Sequence, residues 1–482
     1  MATTITIDPV SRIEGHLEIE VTVDDVGGQD QVVDAKSAGK MFRGFEIILA
    51  GRDPRDAAPY TQRICGVCPV SHAMASCLNL DQAFSVVPPA NGRILRNLVL
   101  GANFIQSHLL HFYHLSAMDF INTTGLLDMS PWTPRYVTPD MVGGSTASAL
   151  VNHYVAALGM RRKAHQMGAI YGGKLPCIGS FVVGGCTNPV TTESIADFRT
   201  LLTELRSFID TVYLPDATAL GTLFPSYYSL GQGHGNLLAF GAFDLDAGGT
   251  TKLFSSGRYT DGTPGSVDPA QITEYVTHSW YTAASGNLNP ADGVTEPDAD
   301  KAGAYSWLKA PRYLDKPHEA GPLARMWVNG DYTNGISAMD RIVARAQETK
   351  KLADAMDGWL DDLVPGDPGY QPNTVPSTAS GMGLTEAPRG ALGHWMDISS
   401  SVISRYQVIT PTAWNCSPRD HLNQMGPVEA ALMDTPVNDI TQPVEVLRVV
   451  HSFDPCLACA VHLVRPGKRT PEAKVLIQPG IG

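Results

Sequence analysis

Long apolar runs are missing from this 482-residue sequence. The segments around Leu95 and Leu110 are broken by Asn, Gln and His, short of the ~18 to 20 residues a membrane-spanning helix needs. A basic surplus is missing too. Lys+Arg number 35 against Asp+Glu 48, a net charge of −13, which argues against nucleic acid or an anionic membrane as the main partner. Cysteine is sparse, eight in all, far below the density of a disulfide framework. No repeat of ~20 to 50 residues and no low-complexity tract is found. The start, Met1 to Pro9, has neither a basic n-region nor an apolar h-region, so export is expected to depend on a partner. With 43% hydrophobic and 17% charged residues, what remains is an ordinary globular composition able to bury a large core.

Periodicity gives the coarse organisation. His16 to Val23 alternates polar and apolar, and Gln31 to Ala38 follows a Gly-Gly turn, predicting an N-terminal antiparallel β unit. Helical spacing predicts helices over about 91–121, 147–168, 193–213 and 339–363. In the third, Ile195, Phe198, Leu202, Leu205 and Ile209 share a stripe, with Thr192 or Ser194 as the cap. Four such helices suggest a bundle core. The stretch 241–320 reads as loops and short strands, and Val364 to Gly381 holds four prolines. The expected class is one α+β unit: a long-helix bundle with an N-terminal antiparallel β unit and irregular β/loop insertions.

Four of the eight cysteines form two Cys-x-x-Cys pairs, Cys65/Cys68 and Cys456/Cys459. Two intervening residues let both thiolates turn toward one ion, and soft sulfur selects zinc, nickel, copper or iron-sulfur centres. On spacing alone a structural zinc clasp is the first reading. A thioredoxin-like redox role fits one pair but not two. The separation of the pairs counts against a small zinc module, whose pairs lie within a few tens of residues.

The flanking residues go further. RICGVCPVSH at 63–72 and DPCLACAVH at 454–462 resemble the paired signatures of the nickel-iron hydrogenase large subunit. DPVSRIEGH at 8–16, MFRGFE at 41–46, GPLAR at 321–325, EAPRG at 386–390 and WNCSPRD at 414–420 extend the resemblance along the chain. QSHLLHFYHLSAMDF at 106–120 and WNCSPRD look closest to the nickel-iron-selenium subgroup, although Cys456 stands where that subgroup carries selenocysteine.

The resemblance implies a nickel held by four thiolates, Cys65 and Cys456 terminal and Cys68 and Cys459 bridging to an iron that carries carbon monoxide and cyanide. It implies reversible heterolytic cleavage of dihydrogen, with Glu14 receiving the proton from Cys456 and Arg389 poised over the open metal position, partnered by Asp454. Ser107 stands where some relatives have a further aspartate near that arginine. His72 matches a histidine that donates to a bridging sulfur, and Thr412 a hydroxyl that can bond a cyanide. Glu46, the backbone carbonyl of Val408 and His462 match a second metal site, magnesium or iron. His108, His111 and His114 read instead as a helix face lining a polar interior, and Cys77, Cys177, Cys186 and Cys416 as small buried residues.

The same resemblance implies a catalytic domain of 1–462 and a tail, 463–482, removed on maturation. It implies an iron-sulfur small subunit as partner, a downstream cytochrome or other electron acceptor, and a periplasmic location reached with that subunit. Rival readings are a zinc protein, a quinone-reductase-type subunit and a sensory hydrogenase.

Overall fold

The computed structural model describes residues 2–130 and 132–457. Cys459, His462 and the tail therefore lie outside the described residues.

The chain opens with an antiparallel sheet of β1 (Thr3–Ile7), β2 (Leu17–Val26) and β3 (Gln29–Gly39) in the order β1-β2-β3. Leu17, Ile19, Val21 and Val23 of β2 are buried while the residues between them are half-exposed, so the predicted alternation sets one face inward. The β1 strand is an addition to the two strands expected from the sequence.

Helix α1 (Pro69–Ala83) begins at the first cysteine pair, and α2 (Ala90–Leu109) runs on through a π-helical segment, Leu110–Ser116. The predicted helices 147–168, 193–213 and 339–363 are α3 (Gly144–Gly172), α4 (Thr192–Phe208, extended by the π segment Ile209–Tyr213) and, further on, the long helix described next. Between them come α5 (Leu214–Leu223) and α6 (Pro322–Val328), before α7 (Ala338–Asp361). In the bundle α2 packs on α3 and α7, and α4 on the same two. The cap of α4 is Thr191, not Thr192 or Ser194: its hydroxyl accepts from Ser194 N–H, and the Ser194 hydroxyl accepts in return from Thr191 N–H. Ser194 is the other half of the box because its hydroxyl reaches back from the first turn.

The stretch 241–320 folds as short ladders and turns, as expected. The C-terminal part adds a second antiparallel sheet, β4 (Thr378–Ala387), β5 (Gly390–Ser399) and β6 (Val402–Ile409), and ends in α8 (Val444–Ser452). Helix α1 lies directly on β4. A Cβ at Gly383 would stand 1.9 Å from the Ala75 carbonyl oxygen, and one at Gly381 would stand 2.2 Å from that of Asn79. Only glycine permits this approach of helix backbone to strand, which fixes where the first cysteine pair sits against the sheet.

Candidate metal centre

Three segments meet at the cysteines. The first is the loop Cys65–Cys68, which leads into α1. Its Val67 carbonyl accepts from Asn103 Nδ2 at 3.0 Å and from Gln106 Nε2 at 2.9 Å, so α2 pins it from above. Cys65 Sγ accepts from the backbone N–H groups of Cys68 (3.1 Å) and Val67 (3.3 Å), which favours its thiolate form.

The second segment follows α8. His451, at the end of that helix, is held by Asp119 Oδ2 at 2.5 Å and by the Ser11 carbonyl at 2.8 Å. The chain then turns through Asp454 at φ 56° and delivers Cys456, whose N–H donates to Thr412 Oγ1 at 2.9 Å. The third is the loop around Glu14, which pairs in parallel with Cys456: Leu457 N–H donates to the Glu14 carbonyl at 2.6 Å and Glu14 N–H to that of Pro455 at 3.3 Å.

The result joins residues 391 apart in sequence, with Cys65 Sγ and Cys456 Sγ 3.3 Å from each other. The sulfurs of Cys65, Cys68 and Cys456 all lie within 4.8 Å of one another and are buried, and this is the one such donor cluster among the described residues. Ile64, Phe45, Val67 and Val408 pack around it and keep it dry. Anionic sulfurs this close in an apolar shell repel one another unless a cation lies among them, and the donor set suits a soft transition metal.

Arg389 occupies the two-residue turn between β4 and β5, where Ala387 pairs with Gly390. Its side chain is 1% exposed, with Nη2 3.0 Å from Asp454 Oδ1. None of its three nitrogens has a well-formed hydrogen bond among the described residues, and neither Asp454 oxygen has one. The guanidinium is held charged, well above its ordinary pKa, by Asp454 and by the sulfurs of Cys456, Cys68 and Cys65 against the cost of burial. A buried cation with unused donors facing three sulfurs is an arrangement for a ligand, because on structural grounds alone it is costly.

Glu14 is half-buried, and burial first, then the charge of Cys65, raises its pKa, while Arg389, Arg43 and His16 pull it down. A carboxyl moved toward neutrality in this way suits proton exchange. His72, on the second turn of α1, is buried and burial lowers its pKa to about 4. Thr412, expected to bond a cyanide, accepts from Cys456 N–H through its hydroxyl oxygen, and its O–H remains able to donate.

Glu46 follows a left-handed Gly44 at the start of a short helix, and burial raises its pKa while Lys309 opposes the shift. Lys309 donates to Glu274 Oε2 at 3.2 Å and to the Val294 carbonyl at 3.0 Å, a charged group near Glu46 that sequence reasoning missed. His108, His111 and His114 face three separate partners: Glu348 Oε1 at 3.1 Å, the His451 carbonyl at 2.7 Å and the Tyr154 carbonyl at 3.2 Å. They line a polar interior and do not converge on an ion. Cys77, Cys186 and Cys416 are buried thiols, with burial pushing Cys77 and Cys416 up to about 12; Cys177 departs from expectation in being only half-buried. The Ser107 hydroxyl is buried without a hydrogen-bond partner among the described residues.

The profile of the nickel-dependent hydrogenase family matches residues 43–142, 127–335 and 328–462. The chain belongs to the nickel-dependent hydrogenase large subunits. Residues 4–36 also match a HoxL-like profile. The periplasmic NiFeSe hydrogenase large subunit of Desulfomicrobium baculatum is 44% identical over 494 residues, covering 95% of each chain. The uptake hydrogenase large subunit of Rhizobium leguminosarum bv. viciae is 34% identical, over 96% of this chain and 95% of its own. The Ni-Fe-Se hydrogenase of D. vulgaris Hildenborough in the as-isolated oxidized state superposes with a TM-score of 0.92 at 44% identity, covering 96% of this chain and 100% of that one.

As a hydrogenase large subunit the protein is an oxidoreductase acting on dihydrogen, with a nickel-iron centre and a small subunit as its family's arrangement. The zinc-clasp and quinone-reductase readings are thereby set aside. The α+β expectation agrees with the shared fold, and no described helix is long and apolar enough to cross a membrane.

Proposed function

We propose that Cys65, Cys68, Cys456 and Cys459 hold the nickel-iron centre, with Cys65 and Cys456 on nickel alone and Cys68 and Cys459 bridging to an iron that bears carbon monoxide and cyanide. The observation that carries this reading is the 3.3 Å approach of Cys65 and Cys456 from opposite ends of the chain inside a dry shell. When bound, the centre supplies the acceptor for the electron pair in heterolytic cleavage of dihydrogen. Cys456 Sγ takes the proton first, and the Glu14 carboxylate takes it onward, which its backbone pairing with Cys456 favours. Arg389 polarises dihydrogen through a fixed charge in a low-dielectric pocket, and Asp454 keeps that charge in place. His72 would donate to a cysteine sulfur of the loaded centre and Thr412 to a cyanide.

Glu46, the Val408 carbonyl and His462 would hold magnesium or iron as a second metal site. Residues 1–462 are one catalytic domain, and 463–482 are removed after nickel insertion. Electrons leave to an iron-sulfur small subunit and from it to a cytochrome or similar acceptor. The pair works in the periplasm, exported together on the small subunit's signal.

Metal analysis and mass spectrometry of the heterodimer purified in its dihydrogen-oxidising state test this. Nickel in the large subunit and a chain ending at His462 are expected. Zinc in place of nickel would contradict the centre, and an active chain of the full 51.7 kDa would contradict the processing.

A further inference from the structure

Arg325 and Arg389 are both buried, and they use their guanidinium groups in opposite ways. Arg389 makes no well-formed hydrogen bond from its guanidinium among the described residues. Arg325, on α6, spends all five of its N–H donors. Nε and one Nη2 donor take the Glu348 carboxylate of α7, at 3.1 and 2.7 Å. One Nη1 donor takes Glu386 Oε2 of β4 at 2.8 Å. The remaining two reach backbone: Nη1 donates to the Ala387 carbonyl at 3.0 Å and Nη2 to the Pro388 carbonyl at 2.9 Å.

These two carbonyls belong to the turn that carries Arg389. Proline has no N–H, so its carbonyl is the only backbone hydrogen-bonding group it offers. That carbonyl lies in the planar peptide joining Pro388 to Arg389, so holding it sets the direction in which the Arg389 side chain leaves the turn. The far end of Arg389 meets Asp454, just before Cys456, at 3.0 Å. Arg389 is thus fixed at its root by Arg325 and at its tip by the second cysteine loop.

The support behind Arg325 is itself held from a second side. Glu348 Oε1 also meets His108 Nε2 at 3.1 Å, and Glu386 Oε1 accepts from Phe240 N–H at 2.6 Å. The approach to α6 is pinned by Asn415, whose Nδ2 donates to the Ala320 carbonyl at 2.8 Å and whose Oδ1 accepts from Ala320 N–H at 2.9 Å. With three donors committed to carboxylates, the plane of the guanidinium is set, and the two donors that reach the turn are set with it. Lysine, with three donors on one nitrogen, cannot serve two carboxylates and two carbonyls in that plane.

We propose that Arg325 is a positioning residue for Arg389: by holding the Ala387 and Pro388 carbonyls it keeps the Arg389 guanidinium at Asp454, beside the second cysteine loop. The inference rests on the reading of Arg389 as the group that polarises dihydrogen at the metal centre. Every donor of Arg325 is spent on protein, so it acts through the turn and not on dihydrogen.

The test uses the purified heterodimer with Arg325→Lys, with Arg389→Met and with the two combined. Arg325→Lys should load nickel and lower dihydrogen oxidation by about 10- to 100-fold, the scale of a group misplaced by ~1 Å. It should also shift the carbon monoxide and cyanide stretches, because a buried charge near them has moved. On the Arg389→Met background that charge is gone, so adding Arg325→Lys should leave the bands where Arg389→Met alone puts them. If Arg325→Lys fails to load nickel, Arg325→Met combined with Glu348→Gln and Glu386→Gln takes its place, since it removes the hold on the turn without leaving an unpaired buried charge. Equal band shifts on both backgrounds, an unchanged rate in nickel-loaded protein, or failure of both replacements to load nickel would overturn the proposal. A wild-type rate in nickel-loaded Arg389→Met would instead overturn the reading of Arg389, so the two failures are told apart.

Discussion

At the scale of single residues, the site combines groups that a stable core would otherwise avoid. Arg389 is a buried cation with unused donors, Asp454 sits at a left-handed φ of 56°, and three sulfurs are pressed together. Glu14 is bonded through its backbone to the described part of the second cysteine loop, and its raised pKa follows from burial first and the Cys65 charge next. Glu14→Gln keeps the backbone pairing and the size of the side chain but cannot take a proton. Dihydrogen/deuterium isotope exchange should fall by a factor of ~100 or more, the scale of a lost acid-base group, with nickel content unchanged. Wild-type exchange in this variant would remove Glu14 from the proton route. The cysteine pairs stood out through the chemistry of their spacing, whereas Glu14 and Arg389 were picked out only because RIEGH and EAPRG resemble the family's motifs. Lys309 and Glu274 were not, because each gains its meaning from a partner far away in sequence.

At the scale of elements, the strands and helices that were legible are those with one wet face. β2 alternates because only one side of its sheet is covered, and α4 shows its stripe because its outer face meets solvent. The elements that carry the site are covered all round. Along β5, from Gly390 to Met396, every residue is buried, and α1 is buried on nearly every side, so neither shows a period. The Thr191 cap was misplaced by a residue because Thr191, Thr192 and Ser194 all have the right chemistry and only backbone geometry chooses among them. The contact of α1 with β4 gives the prediction that belongs here. Gly383→Ala forces a methyl into the Ala75 carbonyl, pushing α1 and the first cysteine pair off the sheet. It should cost at least ~3 kcal/mol, at the upper end for overpacking, and reduce nickel loading. Gly358→Ala, exposed in α7 with open space around its Cβ, should instead stabilise by about 0.5–1 kcal/mol. Denaturant titration of both variants checks the contrast, and a Gly383→Ala protein as stable as wild type would contradict the packing argument.

At the scale of the whole molecule, the fold works as a clamp closed by its two ends. The helix bundle of α2, α3, α4 and α7 holds the first cysteine loop through Asn103 and Gln106, the C-terminal sheet supplies Arg389, and α8 returns Cys456 to the middle. Contacts between distant parts of the sequence therefore build the centre, which explains why a small zinc module was the wrong scale of comparison. Infrared spectroscopy of the purified heterodimer, between the amide bands and the O–H stretching region, tests the central claim most directly. Sharp carbon monoxide and cyanide stretches that shift when dihydrogen is admitted, in protein that carries nickel, are the result this account predicts. Nickel-loaded protein, processed at its C-terminus and without those bands, would contradict it.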